Sequence, residues 1–339
     1  MRIVALEEHF IIPEMVARID PALIARRGFP PPDAPWGPLS QTGRLKELGA
    51  PRLSDMDAAG ISVQVLSAAG PGADLLPGQE GIAFARELND RLAETIRQAQ
   101  DRYAGFAHLP LADPEHAGDE LERTVRQLGF CGALVNGMTQ GDFLDHPRFA
   151  PVLACAEQLG VPIYLHPGVP PQAVRDAYYE GLPGHLSFLL AIAGWGWHAE
   201  TAVHVLRLVL SGTLDRFPRL QLIVGHMGEG LPAMLARCET IFSGEAGQFL
   251  QRSVTQTITD QVHVTTSGFF TLPPFLALLH TFGVDRILFS VDYPFSPNAK
   301  ARAFLDQLPL SPADREKIAH GNADRLLGLA RNAGPGPAF

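Results

Sequence analysis

Residues 3–9 are Ile-Val-Ala-Leu-Glu-Glu-His, an apolar run that ends in side chains able to bind a metal ion. A run of this composition predicts a buried β-strand. Glu7 and His9 are two residues apart, so both side chains point to the same face of that strand. A carboxylate and an imidazole held in this way suit a single divalent ion, although a solvated strand end would show the same short pattern.

Three later apolar runs also end in a residue of a metal-binding type. These residues are His166, His226 and Asp292. In a parallel barrel the carboxyl ends of the strands meet on one face, and that face carries the active site. A charged group at the end of a buried strand is costly unless it is paired or binds a metal. The pattern therefore predicts that the five residues converge on one metal site.

Strand-like runs alternate with helix-like stretches along the whole chain. The predicted strands are 3–10, 60–67, 103–110, 132–136, 161–166, 220–226, 262–267 and 286–292. Helices are predicted at 52–59, 80–100, 114–128, 146–159, 200–214, 272–282, 311–319 and 322–330. This alternation implies parallel pairing, and eight strands close a barrel. The predicted fold class is α/β, a (β/α)8 TIM barrel, with a doubly wound open sheet as the alternative.

Residues 1–330 are predicted to form a single barrel domain, followed by a loosely ordered tail at 331–339. Two long insertions leave the predicted carboxyl ends of strands one and five, at 11–50 and 167–199. Loops at these ends form pockets and lids, so both insertions are candidate substrate walls. Ordinary surface covering or an oligomer interface is the alternative, and the aromatic residues of the second insertion suit either reading.

The composition limits the class of protein. The chain has 339 residues, of which 46% are hydrophobic and 19% charged, which supports a large buried core. The net charge is −9, and no Lys/Arg cluster occurs, so nucleic acid is not an expected partner. Neither a membrane span nor a signal peptide is evident, and a cytoplasmic enzyme is expected. Three cysteines without a C-x-x-C pattern predict no disulfide framework.

The donor set is nitrogen and oxygen without sulfur, which suits Zn²⁺, Mn²⁺, Fe²⁺ or Co²⁺. Two carboxylates weaken the preference for zinc, so Zn²⁺ and Mn²⁺ both remain open. Asn136, not a lysine, ends the fourth predicted strand, so a carboxylated lysine bridging a second metal is not expected. One divalent ion is predicted. The histidines outside the strand ends, His198 among them, are interpreted as structural.

With these motifs the chain resembles the amidohydrolase superfamily, in its aminocarboxymuconate-semialdehyde decarboxylase-like branch. It is most similar there to the non-oxidative hydroxybenzoate decarboxylases, such as γ-resorcylate and 2,3-dihydroxybenzoate decarboxylase. The segments that carry the resemblance are 4–10, 132–137, 164–167, 225–232 and 285–295. Glu7 stands where the hydrolases of the superfamily have the first histidine of H-x-H. That difference favours the decarboxylase branch.

The resemblance implies a role for each matching residue. The metal ligands would be Glu7, His9, His166 and Asp292. The catalytic residues would be Asp292, His226 and Glu229. Arg237 would face the substrate carboxylate, and Asn136 would line the pocket. Phe10, Phe295 and Trp195 are our candidates for the walls around the ring.

The preferred functional hypothesis is metal-dependent, non-oxidative decarboxylation of an o-hydroxybenzoate-type acid, with the ring carbon protonated before CO₂ leaves. The alternative is a metal-dependent lactone or amide hydrolase, or a hydratase, acting on a small carboxylic acid. A barrel that only binds a small acid is a third, non-enzymatic possibility. The resemblance also implies a homodimer or homotetramer. The low net charge of the segment 178–198 makes it the candidate interface.

Overall fold

Within residues 1–29 and 42–329, which the computed structural model describes, eight parallel strands form the centre of the molecule. The strands are β1 (Val4–Phe10), β2 (Val63–Ala68), β3 (Tyr103–Gly105), β4 (Ala133–Asn136), β5 (Ile163–His166), β6 (Leu222–Val224), β7 (Val262–Thr265) and β8 (Ile287–Leu288). They pair in the orders β1-β2-β3 and β4-β5-β6-β7-β8. Parallel bridges from Ala107 to Ala133 and from Glu8 to Tyr293 join the two sheets at both seams. The barrel is closed, and the prediction of a (β/α)8 fold is confirmed.

The described helices surround the barrel and also occur in both insertions. They are α1 (Pro13–Val16), α2 (Pro21–Arg27), α3 (Thr42–Leu45), α4 (Ala50–Ala59), α5 (Gly78–Gln98), α6 (Pro114–Leu128), α7 (Ala150–Leu159), α8 (Gln172–Tyr178), α9 (Leu186–Ala191), α10 (Gly196–Leu210), α11 (Thr213–Arg216), α12 (Leu231–Ala246), α13 (Val254–Gln261), α14 (Leu272–Phe282), α15 (Asn298–Gln307), α16 (Pro312–Glu316) and α17 (Asn322–Leu327). Short 3₁₀ turns lie at Ala73–Leu75, Pro147–Phe149, His226–Gly228 and Val284–Arg286, and a π-helical turn at Lys317–Gly321.

Helix α6 illustrates how the local sequence sets an element's bounds. Asp113 precedes the helix, and its side chain accepts from the His116 amide. Pro114 takes the first helical position, where no backbone N–H is needed. Gly129 ends the helix in the left-handed conformation, which a residue without a Cβ adopts without strain. The helix predicted over 114–128 therefore has those bounds in the structure.

The third and the last strand predictions are the least accurate, and the run 103–110 forms a strand only over Tyr103–Gly105. The run 286–292 was expected to be extended throughout, but only Ile287 and Leu288 pair with β7. The amide of Phe289 donates instead to the Ile318 carbonyl, which draws the backbone away from the ladder. Outside the insertions, the helices α12, α13 and α15 were also not predicted. The predicted tail at 331–339 lies outside the described residues, and the single-domain assignment stays a prediction.

The barrel interior is filled by apolar side chains below the level of the metal-binding residues. Its members include Val4, Leu6, Val63, Val65, Phe106, Tyr164, Ile223 and Leu288. Ala323 and Leu327 of α17 pack against this cluster and close the amino-terminal end of the barrel. The open end is therefore the carboxyl-terminal one. No described helix has the length and apolar character of a membrane span.

Outside the barrel, His204 of α10 provides a test of the fold by acid stability. Its Nε2 accepts from the Leu144 amide over 2.9 Å, and burial lowers the pKa of His204 to about 3. The unfolded imidazole binds a proton below about pH 6.5, so the unfolded state binds more protons and stability falls as the pH drops towards 3.

We expect His204→Gln, which keeps an acceptor, to reduce this loss by about 2 kcal/mol between pH 7 and pH 5. Urea unfolding at several pH values measures the difference. His280→Gln, at an exposed position, should run parallel to the wild type. If the free energy of unfolding falls with pH equally in His204→Gln and in the wild type, this imidazole is not a source of acid sensitivity.

Candidate metal centre and active site

The carboxyl ends of β1 and β5 and the loop after β8 bring the predicted metal ligands together. Glu7 Oε1 lies 3.2 Å from His166 Nε2 and 3.9 Å from His9 Nε2. His9 Nε2 lies 3.4 Å from Asp292 Oδ1. His226 Nε2 also faces this group, 3.6 Å from Glu7 Oε1 and 3.9 Å from Asp292 Oδ2. Residues separated by up to 285 positions in the chain thus form one cluster.

The chemistry of the cluster fits a divalent metal ion. Glu7 Oε1 and His9 Nε2 are buried and have no hydrogen-bond partner. Buried polar atoms without a partner are rare, and a bound ion is one explanation for them. The ligand atoms of Glu7, His9 and His166 lie within 4.8 Å of one another, as do those of Glu7, His226 and Asp292. Nitrogen and oxygen donors at this spacing suit Zn²⁺ or Mn²⁺.

Hydrogen bonds behind the cluster leave the ligand atoms facing inward. His166 Nδ1 lies 2.9 Å from the Pro167 carbonyl, so we assign the proton to Nδ1 and the lone pair to Nε2. His9 Nδ1 lies 3.2 Å from Ser67 Oγ, which leaves its Nε2 towards the cluster. The Tyr164 hydroxyl donates to Glu7 Oε2. Only Oε1 of that carboxylate is therefore left for an ion.

A β-bulge in β1 puts the ligands on the inner face. Ala5 is opposite Gln64, but Glu8 is opposite Leu66, so two residues of β1 face one residue of β2. The extra residue shifts the alternation of inward and outward side chains. Leu6 packs inside the barrel below the bulge, and beyond it Glu7 and His9 are the inward pair. The sequence predicted that Glu7 and His9 share one face of β1, but it gave no signal for the bulge.

Opposite charges within the cluster stabilise each other. Burial alone raises the pKa of Glu7, but the imidazoles of His226, His166 and His9 outweigh it and hold the pKa well below its usual range. Burial opposes protonation of His226 as well, yet Glu7 and Glu229 raise its pKa well above the ordinary value. Glu7 is therefore held in its ionised form, in which its carboxylate can bind a cation.

The turn after β6 presents His226 and Glu229 to the cluster. His226 and Glu229 have φ angles of 49° and 55°, a left-handed conformation that few non-glycine residues adopt. This conformation allows Glu229 Oε1 to lie 2.8 Å from His226 Nδ1. Gly225 is required just before the turn, because a Cβ there would lie 2.7 Å from Glu7 Oε2. The conformation orients His226 Nε2 towards Glu7 and Asp292.

The cluster opens into a cavity of about 250 Å³. His9, His166, His226 and Asp292 lie on one part of its wall. The other lining residues include Phe29, Asn136, Ile192, Trp197 and Phe295. Arg27 and Asp74 add charged groups to this mainly apolar wall. Such a cavity suits a small ring that carries a few polar substituents.

The structure places two of the five predicted substrate-binding residues at the cavity, namely Asn136 and Phe295. It does not place the other three there. Phe10 is fully buried in the core, because it points to the outer face of β1. Trp195 is 63% exposed, and the neighbouring Trp197 lines the wall instead. Arg237 lies on the exposed side of α12, away from the cavity of this chain.

Four residues of the cavity wall and one histidine beside it were not among the predicted site residues. Arg27 and Phe29 belong to the first insertion, Asp74 follows β2, and Trp197 begins α10. Arg27 and Trp197 lie in helices of the insertions and Asp74 in a 3₁₀ turn, where side-chain direction depends on packing between segments rather than on strand alternation. His198 was interpreted as structural, but its Nδ1 lies 2.5 Å from Glu229 Oε2. Its position next to a tryptophan in the insertion was the only available signal.

Comparison with known proteins identifies one family. A profile described as Amidohydrolase matches residues 9–329. The chain is 41% identical over 337 residues to a γ-resorcylate decarboxylase of Rhizobium, with 96% of this chain and 98% of that protein covered. The structure of 2,6-dihydroxybenzoate decarboxylase complexed with 2,6-dihydroxybenzoate has 38% identity and a TM-score of 0.84, with 97% and 99% covered.

A dihydroxybenzoic acid decarboxylase of Polaromonas, solved with bound manganese and the inhibitor 2-nitroresorcinol, has 35% identity and a TM-score of 0.85, with 97% of both chains covered. The chain therefore belongs to the amidohydrolase family. Within that family it is a carboxy-lyase, a decarboxylase of aromatic acids that depends on a divalent metal ion.

Proposed function

We propose that the chain removes CO₂ from a benzoate with hydroxyl groups next to the carboxylate, of the 2,6-dihydroxybenzoate type. The observation that carries this proposal is the metal-ligand cluster, with its unpartnered Glu7 Oε1 and His9 Nε2, on the wall of a cavity the size of one ring. Relatives with 35–41% identity act on acids of this type according to their names.

Glu7, His9, His166 and Asp292 would hold the ion. When bound, the ion supplies Lewis-acid polarisation and a template for the carboxylate and the adjacent hydroxyl oxygen. Asn136 and Phe295 line the cavity beside these ligands. Phe29, Ile192 and Trp197 provide apolar wall that keeps water from the ring. The ring is thereby held with one carbon towards Asp292.

Direct loss of CO₂ would leave an aryl carbanion, so protonation of the ring carbon comes first. Asp292 gives a proton to the carbon that bears the carboxylate, and a C–H bond forms. The bond to the carboxylate then breaks, its electron pair returns to the ring, and CO₂ leaves. His226, whose Nε2 lies 3.9 Å from Asp292 Oδ2, orients Asp292 and supports its change of charge. Each turnover consumes one proton.

The test is CO₂ release from a panel of hydroxybenzoates, resorcylates, vanillate-type acids and aminobenzoates, with metal content measured on the same preparation. We expect metal-dependent release from an acid with ortho hydroxyl groups and none from benzoate itself. If no acid of the panel releases CO₂ from a preparation with about one metal ion per chain, the proposal is contradicted. A lactone and amide panel would then test the hydrolase alternative.

Arg27 supplies a positive charge to the cavity wall near the substrate anion. Its Nη1 donates to the Val169 carbonyl, and Nη2 lies beside Gly168, where a Cβ would be 2.8 Å away. A hydrogen bond between an arginine and a carboxylate or phenolate contributes about 1.5–3 kcal/mol. We therefore expect Arg27→Met to raise KM by roughly 10–100-fold while kcat changes little. Steady-state kinetics measure both constants.

The neighbouring Arg26 is exposed and does not line this cavity, so Arg26→Met is the matched control. The KM of Arg27→Lys should lie between those of the wild type and Arg27→Met, since lysine keeps the positive charge but lacks the planar guanidinium group. An unchanged KM in Arg27→Met would remove this arginine from substrate binding.

We also propose a cytoplasmic homodimer or homotetramer that contains one Zn²⁺ or Mn²⁺ per chain and binds no nucleic acid or membrane. The net charge of −9 supports the absence of a nucleic-acid partner. Exposed apolar side chains in the candidate interface 178–198 support oligomer formation. They are Tyr178, Leu182, Leu186, Leu189 and Trp195. Light scattering after Trp195→Glu and Leu186→Glu tests the interface, and an unchanged mass would exclude it.

A further inference from the structure

The Glu229 carboxylate has two imidazole partners. His226 Nδ1 lies 2.8 Å from Oε1, and His198 Nδ1 lies 2.5 Å from Oε2. The two rings also meet edge to face, with centroids 4.8 Å apart. His226 belongs to the turn after β6, whereas His198 comes from the insertion after β5. One buried carboxylate therefore joins two separate segments of the active-site wall.

Glu229 depends on both partners. Its side chain has no exposed surface, and a buried carboxylate needs a donor for each oxygen. If Oε2 lost its donor, the carboxylate would be free to rotate, and Oε1 would no longer have a fixed direction. That direction orients the His226 ring, whose Nε2 lies 3.6 Å from Glu7 Oε1 and 3.9 Å from Asp292 Oδ2. The position of His226 Nε2 thus depends on the contact between His198 and Glu229 Oε2.

His198 is itself held from its other ring nitrogen. Its Nε2 lies 3.2 Å from the Trp197 indole nitrogen, which donates, and 3.1 Å from the Ala193 carbonyl, which accepts. If Nε2 carries no proton, it accepts from the Trp197 indole N–H. If Nε2 is protonated, it donates to the Ala193 carbonyl. Phe269 packs edge-on against the ring, with centroids 5.6 Å apart. Trp197 and Ala193 also line the cavity, so His198 connects its wall to Glu229.

We propose that His198 is a positioning residue for the decarboxylation. It holds Glu229 and, through Glu229, fixes the ring of His226 relative to Asp292. This inference rests on the proposed function, because the reaction is the process in which that geometry is used. His198 does not line the cavity, and it contacts Glu229 and His226 rather than the proposed ligands Glu7, His9, His166 and Asp292, so it acts through Glu229 and His226.

The test compares His198→Phe with His198→Asn in the metal-loaded enzyme. His198→Phe removes the donor, and we expect kcat to fall by roughly 10–100-fold, with KM and metal content close to those of the wild type. The amide nitrogen of Asn lies near the place of Nδ1, so His198→Asn should retain kcat within about threefold. His280→Asn, at an exposed position in α14, is the matched control.

Two results would overturn the proposal. One is wild-type kcat in His198→Phe. The other is an equal loss in both variants with unchanged melting temperatures, since that outcome would show that the ring acts through its shape rather than its donor. Rescue by Asn separates the two roles, because a packing role would not be restored by a smaller polar side chain.

A second measurement does not require turnover. In the zinc-loaded protein with nitrogen-15 histidine, the Nδ1 proton of His226 reports on its hydrogen bond to Glu229. We expect its resonance to move in His198→Phe and to return towards the wild-type position in His198→Asn. An unmoved resonance in His198→Phe contradicts the proposal. If no acid in the panel is decarboxylated but the resonance moves as expected, the substrate assignment fails while the positioning role stands.

Discussion

Asp292→Asn is expected to lower kcat by roughly 10²–10⁴-fold, because the variant retains the shape of the side chain but has no proton to give to the ring carbon. Asp292 has a φ angle of 70°, in the left-handed region, and asparagine tolerates that conformation better than most residues. The backbone after β8 should therefore keep its course. Loss of activity can then be attributed to the carboxyl group rather than to the turn.

The measurement pairs steady-state decarboxylation with metal analysis of the same sample. Asp292 is also a proposed ligand, so some loss of metal affinity is expected and is corrected by assay in excess Mn²⁺. Asp285→Asn, which alters an exposed ion pair with Lys317, is the control and should retain full activity. Turnover within threefold of the wild type in Asp292→Asn would remove this residue from proton transfer.

The ligand cluster was predictable because parallel strands impose a common direction. The ends of β1 and β5 and the segment after β8 carry chemically distinctive residues, and the barrel geometry brings Glu7, His9, His166 and Asp292 together. The same logic found His226. Helix ends were predictable where a proline, an Asp cap or a terminal glycine marked them, as in α6. These features depend on local chemistry and on a regular fold.

The cavity wall was less predictable for physical reasons. Arg27 and Trp197 lie in the insertions, where side-chain direction follows from packing between distant segments rather than from a period. Phe10 was wrongly assigned to the wall, because it follows His9 directly and so points to the opposite face of β1, into the core. Trp195 precedes α10 and is exposed, whereas Trp197 lies in the first turn of α10 and lines the cavity.

A second large effect is expected away from the cavity, at the outward-facing Glu8. Its Oε1 accepts from the Val291 amide over 2.9 Å and from Ser290 Oγ over 3.3 Å, and its Oε2 accepts from Gln64 Nε2 over 3.3 Å. Burial raises the pKa of Glu8 to about 8, against the opposing effects of the Val291 hydrogen bond and the Arg52 charge. This carboxyl group connects β1 to the backbone just before Asp292.

Arg52 completes the network. It is fully buried, and its Nε and Nη1 donate to Gln64 Oε1 over 2.7 Å and to the His9 carbonyl over 2.8 Å. Its guanidinium lies 4.6 Å from the centre of the Tyr293 ring. A fully buried cation is costly without acceptors, and Gln64 Oε1 and the His9 carbonyl supply them. The network thus holds the strand with Glu7 and His9 against the segment that carries Asp292.

Glu8→Leu is expected to lower the free energy of unfolding by about 3–5 kcal/mol, because it leaves the Val291 amide and Gln64 without acceptors and Arg52 without its nearest buried carboxyl group. For a chain of this length that corresponds to a melting temperature lower by about 5 °C. The loss should be as large in chelator-treated protein as in metal-loaded protein, since the contacts involve no ligand atom. A loss confined to the loaded form would contradict a structural role.

Glu8→Gln separates shape from acceptor chemistry in the same network. The amide oxygen can still accept from Val291, but the amide nitrogen then faces the donor Nε2 of Gln64. If Gln64 turns its amide to avoid this clash, Arg52 loses the oxygen to which its Nε donates. We therefore expect Glu8→Gln to lower the free energy of unfolding, but by less than Glu8→Leu does. Glu14→Gln, at an exposed ion pair with Arg91, should change nothing measurable. A Glu8→Leu variant as stable as the wild type would show that the network is not needed to hold β1 against the Asp292 segment.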